Sequence, residues 1–168
     1  MKPRELIFFR HGIAVELSDP AVPSDEERPL TEEGIRKTRE AAEGLKRLQI
    51  NFDKLLTSPW LRASQTAGIL ADVLALGTPE TLPELAGDHT PNELIEALAQ
   101  QTGRHMLLVG HQPLLAETVA QLLSGEPKFQ IDLKKSGVCA IEVDGMPPGA
   151  PATLLWMLTS KQLRMLAK

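Results

Sequence analysis

Two arginines and two histidines of this sequence lie after short apolar segments that are typical of buried strands. Arg10 and His11 follow the first segment, Arg62 lies a few residues after a second, and His111 follows a later one. In open α/β sheets, ligands bind outside the carboxyl ends of the strands, where helix N-termini offer free N–H groups. The four residues are therefore predicted to converge on one anion. His105, by contrast, is expected to be an ordinary hydrogen-bonded residue at the edge of the core.

Short apolar runs alternate with helical patterns along the chain. Strands are predicted at residues 6–9, 54–57 and 106–109. Helices should follow these strands, because apolar residues recur there at the spacing of one helix face. Two further strands, at 138–143 and 153–158, are predicted to be neighbours at the side of the sheet. This order indicates an α/β three-layer sandwich with a mostly parallel central sheet and helices on both faces.

Two of the predicted helices have recognisable starting residues. Thr31 precedes two glutamates and should cap a helix whose apolar face includes Ile35. Ser58 should cap the second helix, with Pro59 at the first helical position. Residues 18–28 contain several acids with prolines nearby, and this composition predicts an irregular surface loop.

Composition limits the classes of protein that fit. With 168 residues, 42% of them hydrophobic, the chain is predicted to form one domain over residues 1–168. A formal net charge of −4 argues against a broad nucleic-acid-binding face. The lone cysteine, Cys139, cannot form an intramolecular disulfide. The N-terminal apolar run is too short for a signal peptide and no later segment could span a bilayer, so a cytoplasmic protein is expected.

Three motifs, taken together, resemble the histidine phosphatase superfamily, also called phosphoglycerate-mutase-like. They are Arg10-His11-Gly12, Ser58-Pro59-x-x-Arg62-Ala63-x-x-Thr66-Ala67 and Gly110-His111, each after a predicted strand. Any one motif alone would be weak evidence, but their order and placement over most of the chain are specific. The short length and the segment Arg28-Pro29-Leu30-Thr31-x-x-Gly34 most resemble the small bacterial phosphohistidine phosphatases.

The resemblance implies a role for each matching residue. His11 would be the nucleophile, Arg10 and Arg62 would bind the phosphoryl group, His111 would complete the pocket, and Arg28 would add a phosphate contact. A neutral imidazole can attack phosphorus when its other nitrogen donates to a backbone carbonyl. Arginines and a protonated His111 could stabilise the transferred group, and water would then release inorganic phosphate. This scheme requires no metal or other cofactor.

The resemblance leaves the proton donor open. Larger members similar to this chain use a glutamate a few residues before a glycine, so Glu84 is the candidate proton donor and Asp88 the second choice. An exposed loop carboxylate is an equally good interpretation of Glu84. A protonated phosphoimidazole leaves as neutral imidazole, whereas an alkoxide needs an acid. A site with little acid catalysis should therefore favour phosphohistidine in a phosphotransfer protein that serves signal transduction.

Other functions stay open at this point. The same fold could hydrolyse small phosphomonoesters or act as a mutase, and a Glu84 that reaches the pocket would favour this alternative. A metal site built from His11, His111, His89 and Asp88 is disfavoured, because these residues lack the close sequence pairs typical of zinc ligands. A phospho-binding module would bind phosphate without turnover and without a covalent histidine.

Overall fold

A six-stranded sheet lies at the centre of residues 2–168, the part of the chain that the computed structural model describes. The strands are β1 (Arg4–Arg10), β2 (Lys54–Thr57), β3 (Glu80–Thr81), β4 (His105–Gly110), β5 (Val138–Val143) and β6 (Thr153–Leu158). The helices are α1 (Glu32–Arg47), α2 (Leu61–Leu74), α3 (Pro91–Ala99), α4 (Leu114–Ser124) and α5 (Ser160–Leu166). None of these helices is long and apolar enough to cross a membrane.

The strands follow the order β3-β2-β4-β1-β5-β6 across the sheet. Strand β4 is parallel to both β1 and β2, and β2 is parallel to β3. Strand β5 is antiparallel to β1 and to β6, so the last two strands form a hairpin at one side. The mostly parallel sheet expected from the sequence is confirmed.

Both faces of the sheet are covered by helices because the central strands are apolar on both sides. In β1, Leu6 and Phe8 pack into a core with α3 and α4, while Ile7 and Phe9 pack into a second core with α1, α2 and α5. Successive side chains of a strand point to opposite faces, so a continuous apolar run requires cover on both. The predicted three-layer α/β sandwich is confirmed.

Helix α1 begins where the sequence predicts, but it presents a different face to the core. The Thr31 hydroxyl accepts a hydrogen bond from the Gly34 N–H at 2.9 Å. Ile35, expected on the buried face, is 41% exposed. Gly34 explains the difference, because a side chain there would collide with the Ile13 carbonyl. This close approach turns Gly34 and Thr38 toward the core and leaves Ile35 outside.

Ser58 does not cap the second helix, which corrects a second expectation. Helix α2 begins at Leu61, and its N-cap residue, Trp60, makes no side-chain capping bond. The Ser58 hydroxyl accepts from the Trp60 N–H at 3.2 Å and also bonds His111. The serine is therefore part of the histidine environment described below.

The sequence pattern does not predict strand β3 or helix α5, but it does predict the irregular segment of residues 18–28. Strand β3 has two residues and α5 has seven, which is too short for a clear apolar period. Helix α5 instead begins at a capping box between Thr159 and Gln162 and packs against α1. Residues 18–28 contain no helix or strand, as expected.

Candidate active site

His11 lies directly after β1, where the backbone joins the end of β4. Its N–H donates to the Gly110 carbonyl at 3.1 Å. The ring is buried, and Nδ1 lies 2.7 Å from the carbonyl oxygen of Gly12. Because a carbonyl only accepts, Nδ1 carries the hydrogen and Nε2 keeps its lone pair. Arg62 Nε donates to this Nε2 at 3.2 Å.

The His11 ring is held in its neutral form. Burial, together with the charges of Arg62 and Arg10, lowers the pKa of His11 from 6.5 to about 3, against the opposing effect of the hydrogen bond to Gly12. A neutral imidazole with one unprotonated nitrogen is a competent nucleophile, and here the lone pair of that nitrogen accepts from Arg62 Nε until a phosphoryl group takes its place. These are the position, tautomer and protonation state that a nucleophile requires, and the role of nucleophile stays a prediction for His11.

His111 faces His11 across the end of the sheet. The two ring centroids are 5.0 Å apart, and His111 Nε2 lies 2.8 Å from the Ser58 hydroxyl. His111 Nδ1 is buried and has no hydrogen-bond partner among residues 2–168. When the Ser58 hydroxyl donates to Nε2, the hydrogen of the neutral ring is on Nδ1. That N–H is then a buried donor able to bind a phosphoryl oxygen.

His111 is neutral in the free site, which corrects the expectation of a protonated ring. Burial lowers the pKa of His111 from 6.5 to about 2, and the proximity of His11 and Arg62 acts in the same direction. The sequence showed a histidine at a strand end but gave no measure of its burial. A donor role for His111 therefore does not depend on a positive charge.

Arg62 and Arg10, the two arginines of the predicted cluster, contact different neighbours. Arg62, in the first turn of α2, is almost fully buried, and its guanidinium lies 4.9 Å from the Trp60 ring centroid. Arg10 Nη1 donates to the Leu133 carbonyl at 3.0 Å, while its Nε is buried without a partner. The Trp60 ring also lies 4.7 Å from that of His111. Trp60, which the sequence did not single out, thus packs against two members of the cluster.

Arg28 joins the cluster indirectly. Its Nη1 donates to Asp25 Oδ1 at 2.8 Å and its Nε donates to the Val15 carbonyl at 2.6 Å. The same Asp25 accepts from Arg62, so the two arginines share one carboxylate. The structure shows no hydrogen bond between Arg28 and His11 within the described residues. A phosphate contact from Arg28 stays a prediction.

Thr66 fixes the segment that follows His11. Its hydroxyl accepts from the Gly12 N–H at 3.0 Å and donates to the Arg62 carbonyl at 2.7 Å. A side chain at Gly12 would collide with the Thr38 hydroxyl, so only glycine fits there. These contacts explain why the first and second motifs carry a glycine and a threonine at these positions.

Glu84 lies outside this cluster. It is part of a short 3-10 turn and lines a pocket with His89, Glu93, Glu96, Ala97 and Gln100, and among the described residues no hydrogen bond joins it to His11 or His111. His89 is 3.5 Å from Glu93 and does not join the other histidines. Within residues 2–168, no three His, Cys, Asp or Glu side chains are grouped so as to hold a metal ion. The role of Glu84 as proton donor stays a prediction.

Comparison with known proteins places this geometry in a family. Residues 6–88 match the model of the histidine phosphatase superfamily (branch 1). Over 167 residues the chain is 33% identical to phosphohistidine phosphatase SixA of Escherichia coli (strain K12), which covers 96% of this chain and 97% of that protein. The chain belongs to the histidine phosphatase superfamily. The family model and the likeness to a phosphatase over nearly the whole chain together make this chain a phosphatase of the hydrolase class.

Solved structures share the fold of this histidine phosphatase. The structure of protein histidine phosphatase SixA complexed with tungstate aligns with a TM-score of 0.80 at 29% identity, over 95% of this chain and 99% of that chain. The α-ribazole phosphatase of Shigella flexneri aligns with a TM-score of 0.71 at 21% identity, over 93% of this chain and 96% of that chain. The second likeness shows a common fold only.

Sequence reasoning missed one charged residue in the site of this histidine phosphatase. Asp25 lies in the segment predicted as a surface loop, yet its carboxylate bonds Arg62 and Arg28. The sequence signal that could have found Asp25 is its place three residues before Arg28, next to the motif that begins at Arg28. No local sequence pattern indicates that Asp25 binds Arg62, because the two residues are 37 positions apart.

Proposed function

We propose that this histidine phosphatase hydrolyses phosphohistidine in a phosphotransfer protein, through a covalent phosphohistidine on His11. The observation that carries the proposal is the buried, neutral His11 ring, whose Nδ1–H donates to the Gly12 carbonyl. This bond leaves Nε2 with its lone pair beside Arg62. The 33% identity to a phosphohistidine phosphatase over nearly the whole chain supports the choice of substrate.

In the first step, His11 Nε2 attacks phosphorus in line, and the P–N bond of the donor breaks. The electron pair of that bond returns to the donor nitrogen, and a donor ring protonated on its distal nitrogen leaves as neutral imidazole. The phosphorylated His11 ring keeps its Nδ1 hydrogen on the Gly12 carbonyl. In the second step, water attacks phosphorus, His11 leaves as a neutral ring, and inorganic phosphate is released with the proton from water.

Three N–H donors of the cluster around His11 support the binding of a phosphoryl group. Arg10 Nε and His111 Nδ1 are buried without a partner, and Arg62 Nε already points at His11 Nε2. Buried polar groups are normally hydrogen-bonded, so unpartnered donors beside a nucleophile suit the oxygens of a transferred phosphoryl group. Preorganised donors of this kind stabilise charge that develops in the transition state. The reaction we propose uses no cofactor.

The position of Glu84 favours a P–N over a P–O substrate. An alkoxide is a poor leaving group without a general acid, whereas neutral imidazole leaves readily. Glu84, the candidate acid, lines a pocket with residues of α3 and makes no hydrogen bond to either histidine. We therefore infer that the partner is a phosphorylated histidine-containing protein domain of a signalling pathway, and we place the reaction in the cytoplasm.

The test compares substrates under the same conditions. We would measure kcat/KM for a phosphohistidine-containing protein domain, for phosphoramidate, and for a panel of phosphomonoesters that includes phosphoserine. We expect both P–N substrates to be hydrolysed faster than every ester. Faster hydrolysis of an ester would contradict the proposed substrate and favour a phosphatase of small phosphomonoesters. Phosphate binding without turnover of any donor would contradict the catalytic role altogether.

A further inference from the structure

Asp25, in the loop of residues 18–28, binds two arginines of the site. Asp25 Oδ2 accepts from Arg62 Nη2 at 3.2 Å, and Oδ1 accepts from Arg28 Nη1 at 2.8 Å. The backbone carbonyl of Asp25 accepts from Arg62 Nη1 at 2.5 Å. One residue thus binds both terminal nitrogens of the buried Arg62 and holds Arg28 beside it.

These contacts decide which edge of the Arg62 guanidinium faces the nucleophile. The group has five N–H donors in one plane, and those at its end are on Nη1 and Nη2. The end edge is bound by Asp25, so the side edge, with Nε and the second hydrogen of Nη2, is turned toward His11. This side edge is where a phosphoryl group on His11 Nε2 would place its oxygens.

Two hydrogen bonds of the residues that follow Asp25 hold the loop in place. The Leu61 N–H, at the start of α2, donates to the Glu26 carbonyl at 2.8 Å. Arg28 Nε donates to the Val15 carbonyl at 2.6 Å. Asp25 is therefore held next to the first turn of α2, where Arg62 lies, before any substrate binds.

The charge state of Asp25 suits holding an arginine and not donating a proton. Partial burial raises the pKa of this carboxyl, but hydrogen bonds and charge from Arg28 and Arg62 outweigh it and lower the pKa below its ordinary value. Asp25 is ionised at neutral pH. An ionised carboxylate bridging two arginines cannot serve as the missing general acid.

We propose that Asp25 is a positioning residue for phosphoryl transfer, which holds the Arg62 guanidinium so that its side edge faces the phosphoryl group on His11. The proposal rests on the proposed function, because it assigns a task to Arg62 in that reaction. Its effect should appear mainly in kcat, since the orientation of a charged donor matters most where charge develops in the transition state.

The test uses Asp25→Asn and Asp25→Ala, with Asp19→Asn as the control in the same loop. The exposed Asp19 carboxylate accepts from the Ala21 N–H and from no arginine among the described residues, so its substitution leaves the arginines untouched. We expect both Asp25 variants to lose kcat by about 10–100-fold with KM within about threefold, because a small misplacement of a catalytic group has effects of this size. Asp19→Asn should match wild type, and Asp25→Glu should recover part of the loss. Circular dichroism would verify folding.

A double-mutant cycle shows whether Asp25 acts through Arg62. In an Arg62→Ala background, Asp25→Ala should change kcat by less than about twofold, because coupled residues are not additive. Wild-type kinetics in Asp25→Asn, or an equal loss in both backgrounds, would overturn the proposal. Faster turnover by Asp25→Ala would also overturn it, since the carboxylate would then compete with substrate for Arg62. If wild type prefers an ester, the proposed substrate fails, but the same cycle run on that ester still tests Asp25.

Discussion

Strand β4 has one histidine as its first residue and another directly after its last. His105, at the amino end, keeps 29% of its side chain exposed, and its Nδ1–H donates to the Asn51 carbonyl at 3.0 Å. His111, at the carboxyl end, is 2% exposed and lies 5.0 Å from the ring of His11. Both residues are histidines at the ends of the same strand, so their different burial depends on which end of the sheet each one occupies.

The surroundings of the two ends explain this difference. At the amino end, His105 Nδ1 donates to the Asn51 carbonyl, and His105 Nε2 lies 3.8 Å from the Glu5 carboxylate. At the carboxyl end, the chain turns from strand into helix, and this turn places Arg62 and Ser58 against the histidines. Ligand sites of open α/β sheets lie at this end for the same reason. Position in the topology therefore discriminates between histidines better than local sequence does.

The largest effect should come from removing the histidine at the carboxyl end. His111→Ala should lower kcat toward phosphohistidine protein by about 10²–10³-fold, the usual consequence of losing one preorganised donor. His105→Ala, at the amino end, should stay within about twofold of wild type. Steady-state kinetics on both variants measure the contrast. Equal losses would mean that the two ends of β4 do not differ in function.

A smaller effect is expected from the residue that orients His111. Ser58→Ala removes the hydroxyl 2.8 Å from His111 Nε2, and we expect kcat to fall about tenfold, the equivalent of one hydrogen bond. Ser64→Ala is the matched control, because the hydroxyl of this half-buried serine on α2 donates to the Leu61 carbonyl of its own helix. Comparable kinetics for the two variants would show that the Ser58 contact does not serve catalysis.

The buried histidines should make stability depend on pH in a defined window. The pKa values of His11 and His111 are lowered to about 3 and about 2 from 6.5, so between about pH 3 and 6.5 the unfolded state binds more protons. The free energy of unfolding should therefore be greatest above about pH 6.5 and fall as the pH decreases. Urea unfolding from pH 7 to pH 4 measures this slope. His11→Asn should have a shallower slope, and an unchanged slope would contradict the burial argument.

The smallest effect is expected at Glu84. Glu84→Gln should change kcat/KM for phosphohistidine protein by less than about twofold, because neutral imidazole leaves without an acid. The control is the same variant assayed on phosphomonoesters. A large loss confined to the esters would show that Glu84 reaches the site during ester hydrolysis and would favour the small-molecule alternative.

Much of the fold and the main residues of the site could be predicted because both follow from local pattern. Buried strands have continuous apolar runs, and Arg10, His11 and His111 directly follow two of them. The apolar periodicity of α1 predicts a buried Ile35, but this residue is exposed. The close contact between Gly34 and the Ile13 carbonyl sets the orientation of the helix, and periodicity contains no information about that contact. Local pattern predicts a helix cap for the Ser58 hydroxyl, which instead bonds His111 at the end of another strand.

Asp25 shows what local pattern cannot supply. Its loop has neither apolar period nor secondary structure, and its partner Arg62 lies 37 residues away. Only the folded arrangement shows that a loop acid binds the end edge of a catalytic-site arginine. Motifs beside strand ends can be found from sequence, whereas a loop carboxylate whose partner lies 37 residues away cannot.

The most direct measurement is rapid-quench labelling with a ³²P-phosphohistidine protein, using wild type and His11→Ala. We predict acid-labile label on wild-type protein within one turnover, located on His11, and none on the variant. Label on the His11→Ala protein, label on another residue, or hydrolysis by that variant at the wild-type rate would contradict the covalent role of His11.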